Sequence, residues 1–79
     1  MIVKYSKHAE KQMVDRGFSE NEIEEGIKRG EKTRQNGKII STYKYYRIVY
    51  KKVGEIYYII TMMYRWWKWL SALFVKKVY

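Results

Sequence analysis

The first apolar positions with helical spacing lie near the start of the chain. Ala9 and Met13 stand four residues apart, so they would share one face of a helix. Ser6 can accept a hydrogen bond from a free amide of the first turn, and Gly17 can adopt the left-handed conformation that ends many helices. This pattern predicts a first helix from about Ser6 to Arg16.

A second helix is marked by stronger signals. Ser19 and Glu22 have the spacing of a capping box, in which each side chain bonds the backbone amide of the other residue. Phe18 before the cap and Ile23 at the fourth helical position form a hydrophobic staple. The helix is predicted to end at about Gly30, after two basic residues that suit the negative end of its dipole.

After residue 30 the apolar period changes to two, which is typical of strands. Asn36-Gly37 is a strong signal for a tight hairpin turn, and 52–54 is predicted to be a three-residue loop with Gly54 in the left-handed conformation. The strands would lie at about 31–35, 38–42, 45–51 and 55–64. The predicted fold class is therefore α+β, with two N-terminal helices packed on one face of a twisted antiparallel sheet of about four strands.

The three-residue loop also predicts a register for the last two strands. It would pair Lys51 with Glu55 as a favourable cross-strand charge pair. The face predicted to pack on the helices then holds Tyr46, Ile48, Tyr50, Ile56, Tyr58, Ile60 and Met62. The opposite face would hold Tyr43, Tyr45, Arg47, Val49, Lys51, Tyr57, Ile59 and Thr61. This second face is predicted to be the polar, basic surface of the domain.

The positive charge of the chain is concentrated after its helical part. The 79 residues carry a formal net charge of +9, from 17 Lys and Arg against 8 Asp and Glu. Residues 1–30 hold equal numbers of acidic and basic residues, so the whole excess follows residue 30, where eight of the nine tyrosines also lie. A basic, aromatic region of this kind fits nucleic acid, an acidic partner protein or an anionic membrane.

The length and composition restrict the class of protein. One domain without disulfides or thiolate-bound zinc is expected, because the chain is short and contains no cysteine. The N-terminus lacks the apolar core of a secretory signal, and the longest uncharged runs fall well short of the ~20 residues of a membrane-spanning helix. A cytoplasmic location is therefore predicted. With a single histidine, neither a metal site nor a cofactor is predicted.

The chain ends in a basic, aromatic segment with the sequence RWWKWLSALFVKKVY. We predict a domain at 1–64 and a Trp-rich C-terminal extension at 65–79, whose apolar residues would line two stripes of a helix. Three roles for the extension stay open: docking on the domain's own sheet, forming a homodimer or partner surface, and lying on a membrane surface. Membrane binding ranks last of the three.

Three positions could carry out phosphate chemistry. His8 could act as a general base, because imidazole exchanges protons near neutral pH, or it could simply cap or pack. Arg47 could hold a phosphate and offset charge in a phosphorane-like transition state, or it could stack on tyrosine or pair with a carboxylate. Thr61, with Tyr64, could donate to a phosphate or a 2′-hydroxyl, although threonine is also a common strand residue.

Basic residues alternate with tyrosines along the predicted strands. The candidate substrate-binding residues of this set are Lys44, Tyr45, Lys51 and Tyr57. Lysines can follow a nucleic-acid backbone while exposed aromatic rings stack on its bases. Because tyrosine-rich strands also occur in ordinary cores, the combination indicates RNA binding more strongly than any one residue does.

Several motifs resemble a known family. The segments Ser6-Lys7-His8-Ala9, Arg16-Gly17-Phe18-Ser19 and Glu22-Ile23 resemble the opening of domain-of-unknown-function family 4258. The strands Tyr46-Arg47-Ile48-Val49-Tyr50 and Ile59-Ile60-Thr61 resemble its later part, so the likeness covers about residues 4–64. Gln12 stands where an arginine is usual in the family.

The family is similar to RelE/ParE-type toxins and related small ribonucleases. The resemblance therefore implies a RelE-like fold and endoribonuclease chemistry on His8, Arg47 and Thr61, with Arg16 as an accessory residue. The leading hypothesis is a metal-independent endoribonuclease of toxin type, which binds RNA, free or on the ribosome, on a basic sheet face and pairs with an antitoxin protein. The alternatives are a non-catalytic nucleic-acid-binding or accessory module, and a protein- or membrane-docking domain that uses the extension.

Overall fold

The computed structural model of the chain describes residues 1–65, so all but the first residue of the predicted extension lies outside the described residues. The elements in chain order are β1 (Ile2–Tyr5), α1 (Lys7–Arg16), α2 (Glu20–Arg29), β2 (Glu31–Gln35), β3 (Lys38–Tyr43), β4 (Tyr46–Val53) and β5 (Ile56–Tyr64). The strands form one sheet in the order β1-β5-β4-β3-β2. The helix α1 packs against β5, and α2 packs against β3 and β4. The predicted α+β class with two helices is confirmed.

Both helices begin where the sequence predicts. The Ser6 hydroxyl accepts from the Ala9 amide at 3.0 Å, and Gly17 ends α1 with a φ of 71°. In the capping box of α2, the Glu22 carboxylate accepts from the Ser19 amide at 2.9 Å, and the Ser19 hydroxyl accepts from the Glu22 amide at 3.2 Å. Hydrogen bonds of this kind form between residues that are close in the sequence, so the sequence alone predicts them.

The sheet has five strands and is mixed, so the prediction of about four antiparallel strands is wrong. The additional strand is β1, which pairs in parallel with β5, Ile2 lying opposite Ile56 and Tyr5 opposite Ile59. A parallel pair needs a long crossover, and here the two helices and three strands lie between the partners. Four residues at the very start of the chain give too short an alternation to signal a strand whose partner lies more than fifty residues away.

The turn between β4 and β5 also differs from the prediction. β4 continues to Val53, so the turn consists of Gly54 and Glu55 rather than three residues. Gly54 has the expected positive φ, 60°. The predicted pairing of Lys51 with Glu55 is wrong, because Lys51 lies opposite Tyr58.

A bulge in β5 completes the change of register. Thr61 pairs with Val49 and Ile59 pairs with Tyr50, so Ile60 is an extra residue without a partner on β4. Each one-residue shift moves a strand's side chains to the other face of the sheet. The first half of β5 is therefore inverted relative to the prediction, whereas the half after the bulge keeps the predicted faces.

The sheet has two faces with different surroundings. The helix face packs on α1 and α2 and carries Val3, Tyr5, Lys32, Arg34, Ile39, Ser41, Tyr43, Tyr46, Ile48, Tyr50, Lys52, Tyr57, Ile59, Met62 and Tyr64. The outer face, on the opposite side, carries Ile2, Lys4, Glu31, Thr33, Gln35, Lys38, Ile40, Thr42, Arg47, Val49, Lys51, Val53, Ile56, Tyr58, Thr61 and Met63. The buried core joins the helix face to Ala9, Phe18, Ile23 and Ile27 of the helical layer.

The helix α2 lies very close to the sheet. A Cβ added at Gly26 would stand 2.6 Å from Ile48 Cδ1, so glycine allows this approach. The Ser41 hydroxyl, which is fully buried, donates to the Gly26 carbonyl at 2.6 Å. The Tyr46 hydroxyl donates to the Glu22 carbonyl at 2.6 Å, and burial raises the pKa of Tyr46 to about 12. Two polar groups of the helix face, the hydroxyls of Ser41 and Tyr46, are thus bonded to backbone carbonyls of α2.

Candidate nucleic-acid interface

The helix α1 continues the edge of the sheet where β1 stops. The Ser6 amide donates to the Ile59 carbonyl at 3.0 Å, and the Ser6 hydroxyl donates to the Ile60 carbonyl at 3.0 Å. The Arg16 guanidinium donates to the Met62 carbonyl at 2.6 Å. Side chains of α1 therefore bond carbonyls along the second half of β5, where β1 no longer provides a partner strand.

Gln12 lies at the centre of this contact. Its side-chain oxygen accepts from the Thr61 hydroxyl at 2.8 Å and from the Arg16 guanidinium at 2.8 Å. An arginine has no acceptor atom, so it could not accept these two hydrogen bonds. The Tyr64 hydroxyl donates to the Arg16 carbonyl at 2.6 Å, and the Tyr64 ring lies 5.2 Å from that of Phe18. We call these contacts of α1 with β5 the α1–β5 seam, formed by Ser6, Gln12, Arg16, Thr61 and Tyr64.

Three predicted site residues meet in the seam. Arg16, Thr61 and Tyr64 all form hydrogen bonds within the domain there. Burial lowers the pKa of Arg16 below its usual value. His8, Gln12 and Arg16 are spaced four residues apart and so share one stripe of α1, but this spacing gives no sign that β5 bonds to two of them.

Two other predicted residues lie beside α2 rather than on the outer face. In the turn between β3 and β4, the Tyr45 hydroxyl donates to the Glu22 carboxylate at 2.6 Å, and Lys44 Nζ lies 3.5 Å from the Glu25 carboxylate. The hydrogen bond from Tyr45 is the largest cause that lowers the pKa of Glu22. The prediction that Tyr45 shares a face with Arg47 is therefore wrong. Both side chains face acidic groups of α2.

Tyr57 is likewise placed on the helix face, contrary to the prediction. Its ring lies 5.6 Å from the ring of buried Tyr50, and Lys52 Nζ lies 5.2 Å from its centre. The predicted three-residue turn had assigned Tyr57 to the polar face and Tyr58 to the core. The observed turn exchanges them, and Tyr58 is exposed by 42% on the outer face.

Arg47 and Lys51 lie on the outer face as predicted. Arg47 stands on the central strand β4, between Thr42 of β3 and Met63 of β5. Its Nε atom is buried and has no hydrogen-bond partner among residues 1–65. No ion pair with a carboxylate is found for it within residues 1–65. Lys51 is exposed four residues further along the same strand.

His8 is exposed on α1, one helical turn before Gln12. Residues four apart on a helix have Cβ atoms about 6 Å from each other, so His8 lies next to the seam. Thr61 pairs with Val49 on the sheet, and Arg47 is the diagonal neighbour of that pair at about 7–8 Å. Thr61 thus links the seam beside His8 to the outer face beside Arg47.

The sequence matches the family described as "Domain of unknown function (DUF4258)" over residues 5–64. The chain belongs to this family. The matched region extends from the end of β1 to the end of β5, so it contains both helices, the seam and four complete strands. The family suggested by the N-terminal motifs is confirmed.

A solved structure shares the fold of this family member. It is the crystal structure of the toxin–antitoxin complex RelBE2 from Mycobacterium tuberculosis, in which one chain is similar with a TM-score of 0.54 and 18% sequence identity. The alignment covers 81% of this chain and 96% of that chain. A comparison with curated proteins gives no significant match. The RelE-like architecture predicted from the sequence agrees with this likeness.

Within residues 1–65, no helix is long and apolar enough to cross a membrane. The predicted roles of the extension in dimer formation, partner binding or membrane binding concern residues outside this range.

Two outer-face residues, Lys4 and Tyr58, were missed as candidates. The alternation Ile2-Val3-Lys4-Tyr5 was the sequence signal that could have placed Lys4 on the outer face. The face of Tyr58 depends on the length of the turn after Val53, which was predicted one residue too long.

Proposed function

We propose that this protein is an RNA-binding endoribonuclease of toxin type that holds its substrate on the outer face of the sheet and needs no metal ion. The observation that carries the proposal is the Arg47 guanidinium on the central strand, whose buried Nε has no hydrogen-bond partner among residues 1–65. Buried donors are nearly always bonded, so an unbonded one calls for an explanation, and a bound anion is one. A phosphate diester offers the planar pair of acceptors that a guanidinium binds best.

The charges of the outer face support an anionic substrate. Four basic residues lie on this face, with one acidic residue at its far edge: Lys4, Lys38, Arg47 and Lys51 against Glu31. The acidic residues of α2 lie on the other side of the sheet, where Glu22 and Glu25 contact Tyr45 and Lys44. A polyanion would therefore meet net positive charge on one face and a mixed surface on the other.

The proposed chemistry is transfer of the phosphate within the RNA. The His8 imidazole takes the proton of a 2′-hydroxyl, whose oxygen forms a bond to phosphorus while the bond from phosphorus to the 5′-oxygen breaks. The products are a 2′,3′-cyclic phosphate and a 5′-hydroxyl, which receives a proton from the imidazolium or from water. Arg47 offsets the charge that develops on the phosphate oxygens, and Lys51 holds a neighbouring phosphate. For Thr61 to donate to the phosphate, its hydroxyl must leave the Gln12 oxygen to which it donates in this structure, since a hydroxyl has one proton to give.

Two features support the toxin type within this proposal. The family resembles RelE/ParE-type toxins, and the solved structure that shares its fold belongs to a toxin–antitoxin complex. An antitoxin is accordingly the protein partner that we propose. Such a partner would inhibit cleavage by covering the outer face, so antitoxin and RNA should compete for binding.

The test is incubation of the purified protein with RNA, alone and with translating ribosomes, in the presence of EDTA. Wild type should cleave RNA in at least one of these settings, and His8→Ala and Arg47→Ala should each lower the rate at least a hundredfold, as expected for a general base and a charge-stabilising group. Lys28→Ala, an exposed lysine of α2, is the matched control and should retain full activity.

Two outcomes would contradict parts of this proposal. RNA that is bound but stays intact, with and without ribosomes, would show a non-catalytic nucleic-acid-binding module. Full cleavage by both variants would remove His8 and Arg47 from the mechanism. Circular dichroism of each variant shows whether lost activity comes from lost folding.

A further inference from the structure

We propose that Tyr58, flanked by Lys4 and Lys51, is a stacking platform for a base of single-stranded RNA. The proposal rests on the function proposed above and adds a second contact to it, distinct from the phosphate contact at Arg47. None of the sequence motifs pointed to Tyr58 or Lys4 as binding residues. The observed register of three neighbouring strands brings them together.

The platform is one row across the sheet. Lys4 of β1 lies opposite Tyr58 of β5, and Tyr58 lies opposite Lys51 of β4. Residues paired in this way project from the same face, and neighbouring strands are about 4.8 Å apart. The two lysines therefore stand about 10 Å apart, with the tyrosine ring between them.

All three side chains are available to a ligand. Lys4 and Lys51 are exposed, and Tyr58 has 42% of its surface exposed in the middle of the sheet. No hydrogen bond, ion pair or ring contact occupies the Tyr58 side chain within residues 1–65. Tyr45, with a similar exposure of 45%, differs in that its hydroxyl is bonded to Glu22.

This combination selects the class of ligand. An exposed ring on a sheet face stacks on nucleobases, and lysines on both sides neutralise the phosphates before and after the stacked base. Acidic protein segments satisfy the lysines but offer no planar ring for the tyrosine. Single-stranded RNA is favoured because bases in a duplex are stacked on each other and are not free to stack on a side chain.

The position of the platform fits the proposed phosphate site. Lys51 and Arg47 are four residues apart on β4, which places their backbones about 13 Å apart on the same face. Val49 lies between them and leaves no charge that would repel a phosphate. A single strand crossing the outer face can therefore place one base on Tyr58 and a nearby phosphate at Arg47.

The test compares Tyr58→Leu with Tyr58→Phe in the full chain. Binding is followed by fluorescence anisotropy of a labelled single-stranded RNA whose 2′-hydroxyls are methylated, so that cleavage cannot occur. The leucine variant should bind about tenfold more weakly and the phenylalanine variant within twofold of wild type, because only the ring is needed for stacking. Inorganic polyphosphate is a polyanion without bases, so the inhibition constant with which it displaces the RNA should be the same for all three proteins.

The lysines are tested by the salt dependence of binding. The slope of log affinity against log salt is negative. Lys4→Gln and Lys51→Gln should each make it less steep by about 0.7, the value for one phosphate contact with a single strand. Lys28→Gln, on the helical side, is the control and should leave the slope unchanged.

Each result decides between the proposals. RNA binding that is equal in all Tyr58 variants but lost in Arg47→Gln would overturn the platform and leave the proposed function intact. Absence of RNA binding by wild type would overturn both. Polyglutamate that binds more tightly than RNA, without dependence on Tyr58, would show an acidic protein surface and would also overturn the platform.

Discussion

The two faces of the central strand β4 differ in whether their buried polar groups have hydrogen-bond partners. On the helix face, the Tyr46 hydroxyl is bonded to the Glu22 carbonyl, and Ser41 on the neighbouring strand is bonded to Gly26. On the outer face, Arg47, which follows Tyr46 on the strand, has a buried Nε without a hydrogen-bond partner among residues 1–65. A small domain has little free energy to spare for an unbonded buried donor. The helix-face hydroxyls thus stabilise the fold, and the contrast with Arg47 is the reason that we propose the substrate site on the outer face.

The α1–β5 seam lies between these two faces. Its residues show why the sequence alone could not separate side chains that bond within the domain from side chains that could bind a substrate. Arg16, Thr61 and Tyr64 have the chemistry of a phosphate site, yet their polar atoms bond to the domain itself. Their residue types could not distinguish an internal partner from a substrate. The distinction depends on α1 lying beside the second half of β5, which is a long-range contact.

The largest effect should come from truncating adjacent residues of β4 on the two faces. Ile48→Ala removes a fully buried side chain beside Gly26 and should lower the free energy of unfolding by about 2–5 kcal/mol. Val49→Ala, on the half-buried outer face, should cost clearly less. Urea denaturation followed by circular dichroism measures both values.

The comparison of Ile48→Ala with Val49→Ala tests directly whether the two faces of β4 differ in packing. Equal losses of stability at Ile48 and Val49 would mean that the outer face is packed as tightly as the helix face. The surface proposed for RNA would then be part of the core. A loss at Ile48 alone would instead leave the outer face available for binding.

The next effect should appear at Gln12, the centre of the seam. Gln12→Leu removes the acceptor of both Thr61 and Arg16. The stability should fall by about 1–3 kcal/mol, chiefly because the half-buried Thr61 hydroxyl loses its acceptor, whereas Arg16 keeps its bond to the Met62 carbonyl. Val14→Ala, at a site exposed by 81% on the same helix, should change stability by less than about 0.5 kcal/mol.

The same variant separates a structural role of the seam from a role in RNA binding. If the seam supports only the fold, Gln12→Leu should unfold at lower urea but bind RNA normally under native conditions. A full loss of RNA binding by the folded variant would instead place Thr61 or Arg16 on the substrate. Unchanged stability would show that the hydrogen bonds to Gln12 contribute nothing to the fold.

The sequence predicted the parts of the fold that depend on neighbouring residues. Both caps, the capping box of Ser19 and Glu22, and the Asn36-Gly37 turn with two positive φ values lie where expected. The parts that depend on distant partners were missed. Pairing of β1 with β5 joins the two ends of the described chain, and a bulge at Ile60 leaves no mark in the alternation of apolar residues.

The candidate site was predictable to the same extent. Arg47 and Lys51 lie on the predicted face of the sheet because alternation within β4 is a local property, while their roles in binding stay predictions. Tyr57 and Tyr58 were exchanged because their faces depend on the length of one turn. The roles of His8, Arg47 and Thr61 in catalysis remain predictions that the cleavage experiment tests.

The smallest effect should be a pH dependence at the edge of the helix face. Hydrogen bonds from Tyr45 and from the Ser19 amide lower the pKa of Glu22 below its usual 4.5. A carboxylate with a lowered pKa in the folded state contributes stability above the unfolded value, and this contribution is lost as the pH falls through the folded value. Glu22→Gln should therefore cost at most about 1 kcal/mol at neutral pH, because the site is largely exposed.

The difference in unfolding free energy between wild type and Glu22→Gln should shrink as the pH falls from 4.5 through the lowered pKa of folded Glu22, because below that pKa both proteins are uncharged at residue 22. Tyr45→Phe removes the largest cause of the shift and should weaken this dependence without abolishing it, because the Ser19 amide still donates to Glu22. A constant difference from neutral to acidic pH would show that the charge of Glu22 does not stabilise the fold. The pairing of Tyr45 with α2 would then be no obstacle to its contacting RNA, and the separation between the two faces would be weaker than the hydrogen bonds indicate.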